Sequence, residues 1–205
     1  MPSPIQPDPL VLASASPRRE DLLRAAGYRF TVAPSTLPEP EPMHPGETPE
    51  AYAVAMAYFK AARVSHLHPN TTLLGADTIC VVGPKMLGKP ADRADAGRML
   101  HLLSGTRHRV VTGLALYEPG ANRRIMKHDV TFVRCRRLSD EQIEGYLDTG
   151  AWNGKAGAYG IQDHGDAFVD AIEGSFTNVV GLPMELLARM MAAWCEVAAA
   201  ETGAS

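Results

Sequence analysis

Asp77 interrupts an otherwise apolar run of the sequence, with Leu73–Ala76 before it and Ile79–Val82 after Thr78. Such a run is typical of a strand that is buried on both faces of a parallel sheet. An ionised carboxylate there is costly unless it is paired, hydrogen-bonded or metal-bound. Asp77 is therefore a candidate for acid–base chemistry or metal binding, and a structural aspartate that caps a neighbouring loop is the alternative.

Two adjacent arginines fall in the first turn of a predicted helix, because Arg18 and Arg19 follow Ser16 and Pro17. The positive end of the helix dipole disfavours cations there, by about 0.3–1 kcal/mol. The free backbone N–H groups of the turn and two guanidinium groups would instead bind a polyphosphate. Because the dipole effect is small, a solvated basic pair is an equally acceptable interpretation.

Two lysines are further candidates for anion binding. Lys60 lies at helical spacing on the same face as Met56 and Val64, where a long side chain with its ammonium group in water is the alternative. Lys89 ends a segment from Gly83 that matches a P-loop except for Pro90, which replaces the Ser or Thr that would hold Mg²⁺. Because prolines stiffen this segment, we reject a P-loop and keep Lys89 as a phosphate ligand or a solvated loop residue.

The elements that must position these residues alternate between strands and helices, which predicts the α/β class. Strands are predicted at Leu10–Ala13, Thr72–Val82, His108–Tyr117 and Lys127–Cys135. Helices are predicted to begin after Ser16, at Thr48, at Asp92 and at Ser139, with a last one that ends near Ala200. The proline-rich residues 31–46 are predicted to form a loop.

The bulk composition limits the classes of function. With 205 residues and 45% hydrophobic content, residues 1–205 are expected to form a single domain, with residues 1–8 as a flexible N-terminus. The net charge of -3 argues against a nucleic-acid polymer as partner. The sequence offers neither a signal peptide nor an apolar stretch of membrane-spanning length, so we predict no membrane partner. Its three cysteines lack disulfide or zinc spacing, which together with the missing signal peptide predicts a cytoplasmic protein. Histidine and serine motifs of zinc and serine hydrolases are absent.

Six blocks of sequence, in order along nearly the whole chain, match the motifs of one family. They are Leu12–Arg19, Gly75–Thr78, Leu87–Pro90, Leu103–Gly105 with His108 and Thr112–Gly113, Lys155–Gln162, and Asn178–Pro183. Together they strongly resemble the Maf family of nucleotide pyrophosphatases. The resemblance implies an elongated mixed sheet flanked by helices, two lobes around a central cleft, and hydrolysis of a nucleoside triphosphate to the monophosphate and pyrophosphate with Mg²⁺ or Mn²⁺.

The resemblance also implies roles for single residues. Asp77 would be the general base and, with Glu39, would hold the metal. Arg18, Thr78 and Gln162 would determine specificity, in forms similar to the branch that acts on dTTP and UTP. Other polar positions of the family's cleft correspond to Ser14, Arg19, Glu39, Lys60 and Lys89.

Two departures from the family pattern concern loops near the base pocket. Asp163 stands where a glycine is common, and Ala151-Trp152 stand where an acidic residue is frequent.

Modified pyrimidine nucleotides are included among the expected substrates. The alternatives are a 7-methyl-GTP-type or inosine-triphosphate-type pyrophosphatase, and a non-catalytic septum-formation inhibitor that acts by binding. The oligomeric state stays open, with a homodimer among the options.

Overall fold

A computed structural model describes residues 4–35, 46–162 and 168–203. Its strands are β1 (Leu10–Leu12), β2 (Thr31–Val32), β3 (Thr72–Val82), β4 (Lys85–Leu87), β5 (Arg107–Glu118), β6 (Arg123–Cys135) and β7 (Val169–Glu173). Its helices are α1 (Pro17–Ala25), α2 (Pro49–Val64), α3 (Arg93–Leu103), α4 (Asp140–Asp148), α5 (Phe176–Val180) and α6 (Met184–Gly203). Among these described residues, we find no helix of sufficient length and apolar character to cross a bilayer.

The strands form one mixed sheet in the order β2-β1-β3-β5-β6-β7, and β4 pairs with β3. Strand β1 is parallel to both β2 and β3, whereas the pairs β3–β4 and β6–β7 are antiparallel. The predicted α/β class with a mixed sheet is confirmed. The parallel part arises because α1 and α2 provide the crossovers that parallel neighbours require.

Side-chain caps explain where three helices begin. Thr48 Oγ1 accepts a hydrogen bond from Ala51 N–H before α2, and Asp92 Oδ1 accepts one from Asp95 N–H before α3. Ser139 and Gln142 form a reciprocal capping box before α4. These three predicted starts are confirmed.

Four short elements were missing from the sequence-based prediction: β2, β4, β7 and α5. Strand β2 has 2 residues, β4 has 3, and β7 and α5 have 5 each. Elements of this length have too little periodicity to identify from sequence. The three strands among them are held by hydrogen bonds to neighbouring strands of the sheet. The predicted loop over residues 31–46 was therefore wrong at its first two residues, which pair with β1.

The chain divides into two compact units, each with its own hydrophobic core. Unit 1 contains the described residues up to Asp77, Thr112–Asp129 and those from Gly181 onward. Its buried side chains include Leu12, Leu74 and Trp194. Unit 2 contains Thr78–Val111 and Val130–Val180, with a core built mainly between α3, α4 and the strands. The expectation of a single domain over residues 1–205 stays a prediction.

Candidate active site

Asp77 and Lys60 form a buried ion pair in unit 1. Lys60 Nζ donates a hydrogen bond to Asp77 Oδ1 at 2.5 Å, and the two side chains are 13% and 10% exposed. Both residues were singled out from the sequence as charges in apolar surroundings. The structure shows that each provides the other's counter-charge, so that neither charge is buried alone.

Two glycines explain how helix α2 comes near enough to the sheet for this contact. A Cβ atom on Gly75 would lie 2.0 Å from the carbonyl oxygen of Ala57, and one on Gly113 would lie 2.1 Å from that of Ala53. The backbone of α2 therefore rests directly on β3 and β5. Close approach of this kind is one reason for glycine inside a strand. It places Lys60, three residues after Ala57, beside Asp77, two residues after Gly75.

Arg19 is buried in unit 1 and is held by two contacts. Its Nε donates to the carbonyl oxygen of Gly181 at 2.8 Å, and its Nη1 donates to Ser14 Oγ at 3.0 Å. These oxygens compensate the unfavourable position of a cation in the first turn of α1. Sequence reasoning missed Gly181, whose available signal was its place in the last of the six sequence blocks.

A side-chain oxygen at the start of α1 comes from Ser14 rather than from the N-cap residue Ser16. A serine at this position often caps a helix with its side chain, but within the described part of the chain the side chain of Ser16 makes no capping bond. Ser14 Oγ instead accepts hydrogen bonds from both Ser16 N–H and Arg19 Nη1. A charged donor next to Ser14 explains the change, because bonds from guanidinium groups are stronger than neutral ones. Arg18 lies in the same turn and is partly exposed.

The loop after β1 lies where open α/β sheets bind ligands. Strand β1 ends at Leu12, paired with Leu74, and β3 continues past this point to Asp77. The chain leaves β1 for β2 on one side, whereas β3 leads to β4 and β5 on the other. This is a topological switch point, and ligands typically bind beyond the carboxyl ends of the strands there.

The other predicted residues belong to unit 2. Thr78 is partly exposed on β3, and Lys89 and Gln162 are exposed. The segment before Lys89 is the turn and second strand of a hairpin, in which Cys80 pairs with Leu87, and this agrees with our rejection of a P-loop. The carbonyl oxygen of Gly88 accepts a hydrogen bond from Gly157 N–H at 3.0 Å, which joins the Lys89 loop to the stretch that leads to Gln162.

Two residues of the sequence-based prediction, Glu39 and Asp163, lie outside the described residues. Ala151, the other departure from the family pattern, is partly buried against the core of unit 2. Among the described residues, no group of three or more His, Cys, Asp or Glu side chains is placed to hold a metal ion. The carboxylate of Asp77 fits a different arrangement, because Mg²⁺ is commonly held by one or two carboxylates together with the phosphates of the substrate.

Unit 2 contains a second buried polar pair, in which His108 Nε2 and the hydroxyl of Tyr159 lie 2.8 Å apart. His108 is 1% exposed. Burial lowers the pKa of its imidazole to about 4, so the ring is neutral at pH 7. The contact between His108 and Tyr159 was not predicted from the sequence.

Comparison with known proteins adds independent information. The chain matches the model of the family described as Maf-like protein over residues 9–194. It is similar to a dTTP/UTP pyrophosphatase of Koribacter versatilis, with 47% identity over 182 residues that cover 89% of this chain and 92% of that protein. A dTTP/UTP pyrophosphatase of Geobacter metallireducens is 47% identical over 175 residues, 85% of this chain and 90% of that protein.

Among solved structures, the chain is similar to a nucleoside-triphosphatase, or dITP/XTP pyrophosphatase, of Mycobacterium abscessus. The match has a TM-score of 0.40 and 18% identity, and it covers 63% of this chain and 75% of that one. A likeness at this level supports no argument about substrate.

Proposed function

This chain belongs to the Maf-like protein family, and from that premise we propose that it hydrolyses dTTP and UTP to the nucleoside monophosphate and pyrophosphate. The observation that carries the proposal is the buried pair Lys60–Asp77 in unit 1. The names of the relatives, dTTP/UTP pyrophosphatases at 47% identity, support the pyrimidine substrates over 7-methyl-GTP or inosine triphosphate. A cytoplasmic location is part of the proposal.

The chemistry requires a water molecule in line with the leaving group and a base that accepts its proton. We assign the base to Asp77, which is buried and is oriented by Lys60 Nζ on one of its two oxygens. The water oxygen forms a bond to the α-phosphorus while the bond from that phosphorus to the bridging oxygen breaks. The electron pair leaves with pyrophosphate, and the proton moves to the carboxylate of Asp77.

Positive charge must balance the charge of the triphosphate. We assign this positive charge to Lys60, Arg19 and Lys89, and we assign Arg18 to substrate selection. Arg19 is already held by Ser14 and Gly181, so its guanidinium is oriented before substrate binds. A divalent cation, Mg²⁺ or Mn²⁺, would neutralise phosphate charge when bound. Asp77 would hold it, and Glu39 is the second carboxylate that we propose.

Selection of the base is assigned to Thr78 and Gln162. A carboxamide offers both a donor and an acceptor, and a hydroxyl offers either, which suits the O4 and N3 atoms that uracil and thymine share. Arg18 is the third residue of this assignment, and Ser14 acts by orienting Arg19. Removal of the Gln162 side chain should therefore reduce the preference for UTP over CTP.

A panel of nucleoside triphosphates tests the function directly. The pure protein is incubated with dTTP, UTP, CTP, ITP, GTP and 7-methyl-GTP, with Mg²⁺, with Mn²⁺ or with EDTA. Pyrophosphate and monophosphate are both measured. We expect equal release of the two products, fastest with dTTP and UTP, and loss of activity with EDTA. Release of orthophosphate, or no release from any nucleotide, would overturn the proposal.

A further inference from the structure

Tyr159 begins the short stretch that ends at Gln162, and its hydroxyl is anchored inside unit 2. The hydroxyl lies 2.8 Å from His108 Nε2, and the two rings meet edge to face with centroids 5.5 Å apart. Cys135 Sγ lies 3.9 Å from the other ring nitrogen of His108. Both rings are buried, so this contact is made away from water, where losing one partner of a hydrogen bond has its largest effect.

The buried pair of His108 and Tyr159 is electrically neutral. Burial lowers the pKa of His108 to about 4 and raises the pKa of Tyr159 well above its ordinary value. Neither group carries a charge near pH 7. A neutral pair suits a role in holding the backbone rather than in proton transfer, because neither partner titrates near neutral pH.

The backbone just before Tyr159 is held in an uncommon conformation. Gly157 has φ of 72°, and Ala158, which is not a glycine, has φ of 63°. A left-handed alanine is disfavoured and persists only where surrounding contacts enforce it. Those contacts include Gly157 N–H to the carbonyl oxygen of Gly88 and the close approach of Gly157 to Cys80. Strained segments that surroundings enforce are frequent at functional sites.

The residue after Tyr159 is fixed from two more directions. Gly160 N–H donates to the hydroxyl of Tyr146 at 3.3 Å. A Cβ atom on Gly160 would lie 2.8 Å from the last three side-chain atoms of Lys155, which is itself only 6% exposed. The side chain of Lys155 therefore occupies the space next to this glycine. Three independent contacts thus hold the two residues that lie before Ile161 and Gln162.

We infer that Tyr159, anchored by His108, is a positioning residue that fixes Gln162 for selection of the pyrimidine base. The inference rests on the proposed function, since it concerns the same substrate. An exposed glutamine can turn its amide to present either donor or acceptor. A fixed backbone limits the positions from which this amide reaches the base, so that it meets the O4 and N3 edge of uracil in one register, whereas a mobile backbone would let it adjust to cytosine as well. Tyr159 acts through Gln162 without touching substrate.

The test measures the ratio of kcat/KM for UTP to that for CTP in the wild type, in four variants and in one control variant. Tyr159→Phe removes only the anchoring hydroxyl, and Gly160→Ala disturbs the same stretch from the side of Lys155. Gln162→Ala removes the reading side chain, and the double variant Tyr159→Phe/Gln162→Ala measures their coupling. Tyr28→Phe is the matched control, because Tyr28 is a buried tyrosine in unit 1. Thermal unfolding of each variant is recorded alongside.

We expect Tyr159→Phe and Gly160→Ala each to lower the ratio by about tenfold, since small misplacements of a binding group have effects of this size. In the Gln162→Ala background, Tyr159→Phe should change the ratio less than about twofold, and Tyr28→Phe should leave it unchanged. KM for UTP should rise more than kcat falls. If Tyr159→Phe does not fold, Gly160→Ala takes its place, and the same tenfold decrease of the ratio is expected.

Three results would overturn the inference, and they are distinguishable. If Gln162→Ala lowers the ratio but the positioning variants do not, the inference fails and the proposed function stands. The inference also fails, and the proposed function stands, if Tyr159→Phe lowers the ratio as much in the Gln162→Ala background as in the wild type. If Gln162→Ala leaves the ratio unchanged, both the base-reading assignment and the inference fail. Wild-type protein without pyrophosphatase activity would refute the proposed function itself.

Discussion

The buried pair Lys60–Asp77 of unit 1 and the buried pair His108–Tyr159 of unit 2 differ in charge. In unit 1, Lys60 and Asp77 are 2.5 Å apart as an ion pair. In unit 2, His108 and Tyr159 are 2.8 Å apart and neutral. A buried ion pair is a poor means of stabilising a fold, because desolvation offsets the attraction, and an apolar replacement is often as stable. The charged pair is therefore better explained by a role in chemistry on a charged substrate. The neutral pair is better explained by a role in holding the backbone in place.

The largest effect should follow from neutralising the charged pair. Asp77→Asn keeps the shape of the side chain but removes the base, and general base catalysis typically contributes about 10²–10⁴-fold. We expect kcat for UTP to fall by that factor while the far-UV circular dichroism spectrum stays the same.

The matched control is Asp148→Asn, which removes an exposed carboxylate of unit 2 paired with Arg93. Its kcat should equal that of the wild type. If Asp77→Asn retained full activity, the assignment of chemistry to the charged pair would be refuted.

The neutral pair His108–Tyr159 should affect how the free energy of unfolding depends on pH. His108 has a pKa of about 4 in the folded protein, below its ordinary value of 6.5. The unfolded chain therefore binds a proton between these values and the folded protein does not, so stability falls as pH is lowered from 6.5 to 4. The loss from this residue should reach about 3 kcal/mol at pH 4.

Urea unfolding of the wild type and of His108→Gln at pH 7, 5.5 and 4 measures this difference. The groups that face His108 are Tyr159 and Cys135, and burial raises the pKa of both, Cys135 to about 12. Neither titrates in this range, so the difference between the two proteins isolates His108. Equal slopes for both proteins would show that the imidazole is not held neutral by burial.

Close packing of helix α2 on the sheet should be necessary for the charged pair. In Gly75→Ala, the new Cβ would lie 2.0 Å from the carbonyl oxygen of Ala57, so the helix must move. We expect a loss of about 1–3 kcal/mol in the free energy of unfolding. We also expect a lower kcat, because Lys60 moves away from Asp77.

Gly145→Ala is the control for this substitution, since a Cβ on that glycine of α4 in unit 2 meets no atom within 4 Å. Alanine there should stabilise the protein by about 0.5–1 kcal/mol through helix propensity alone. If Gly75→Ala were as stable and as active as the wild type, the close approach would have no role in placing Lys60.

The smallest effect is expected from the support of Arg19. Ser14→Ala removes the oxygen that Nη1 of Arg19 contacts, while the contact with Gly181 remains. A single hydrogen bond to a charged group contributes about 1.5 kcal/mol, so kcat/KM for UTP should fall by about tenfold. Ser65→Ala, in which a serine of the same unit loses its bond to Ala62, should leave kcat/KM unchanged. Equal values for both variants would contradict the role given to Ser14.

The sequence predicted most of the long elements because their signals are local. Apolar runs and capping residues identify β3 and α2 within a few residues of their observed ends. The same local patterns singled out Asp77 and Lys60 separately. Their contact was not predictable, because it depends on the approach of Gly75 to Ala57, a tertiary feature.

Other features were missed for the same physical reason. Tyr159 lies 51 residues from His108 in sequence, and Gly181 lies 162 residues from Arg19. Nothing in local periodicity indicates such contacts. The role of Ser14, whose Oγ accepts hydrogen bonds from Ser16 N–H and from Arg19 Nη1 near the start of α1, was also not predicted. Local chemistry thus singled out candidate residues such as Asp77 and Lys60, and the fold determined their partners.

Hydrolysis of UTP in ¹⁸O-labelled water tests the central claim most directly, because Asp77 is proposed to direct water to the α-phosphorus. Mass spectrometry of the two products then locates the new oxygen. We expect label in UMP and none in pyrophosphate, since the bond forms at the α-phosphorus. Label in pyrophosphate would place the attack at the β-phosphorus and contradict the account.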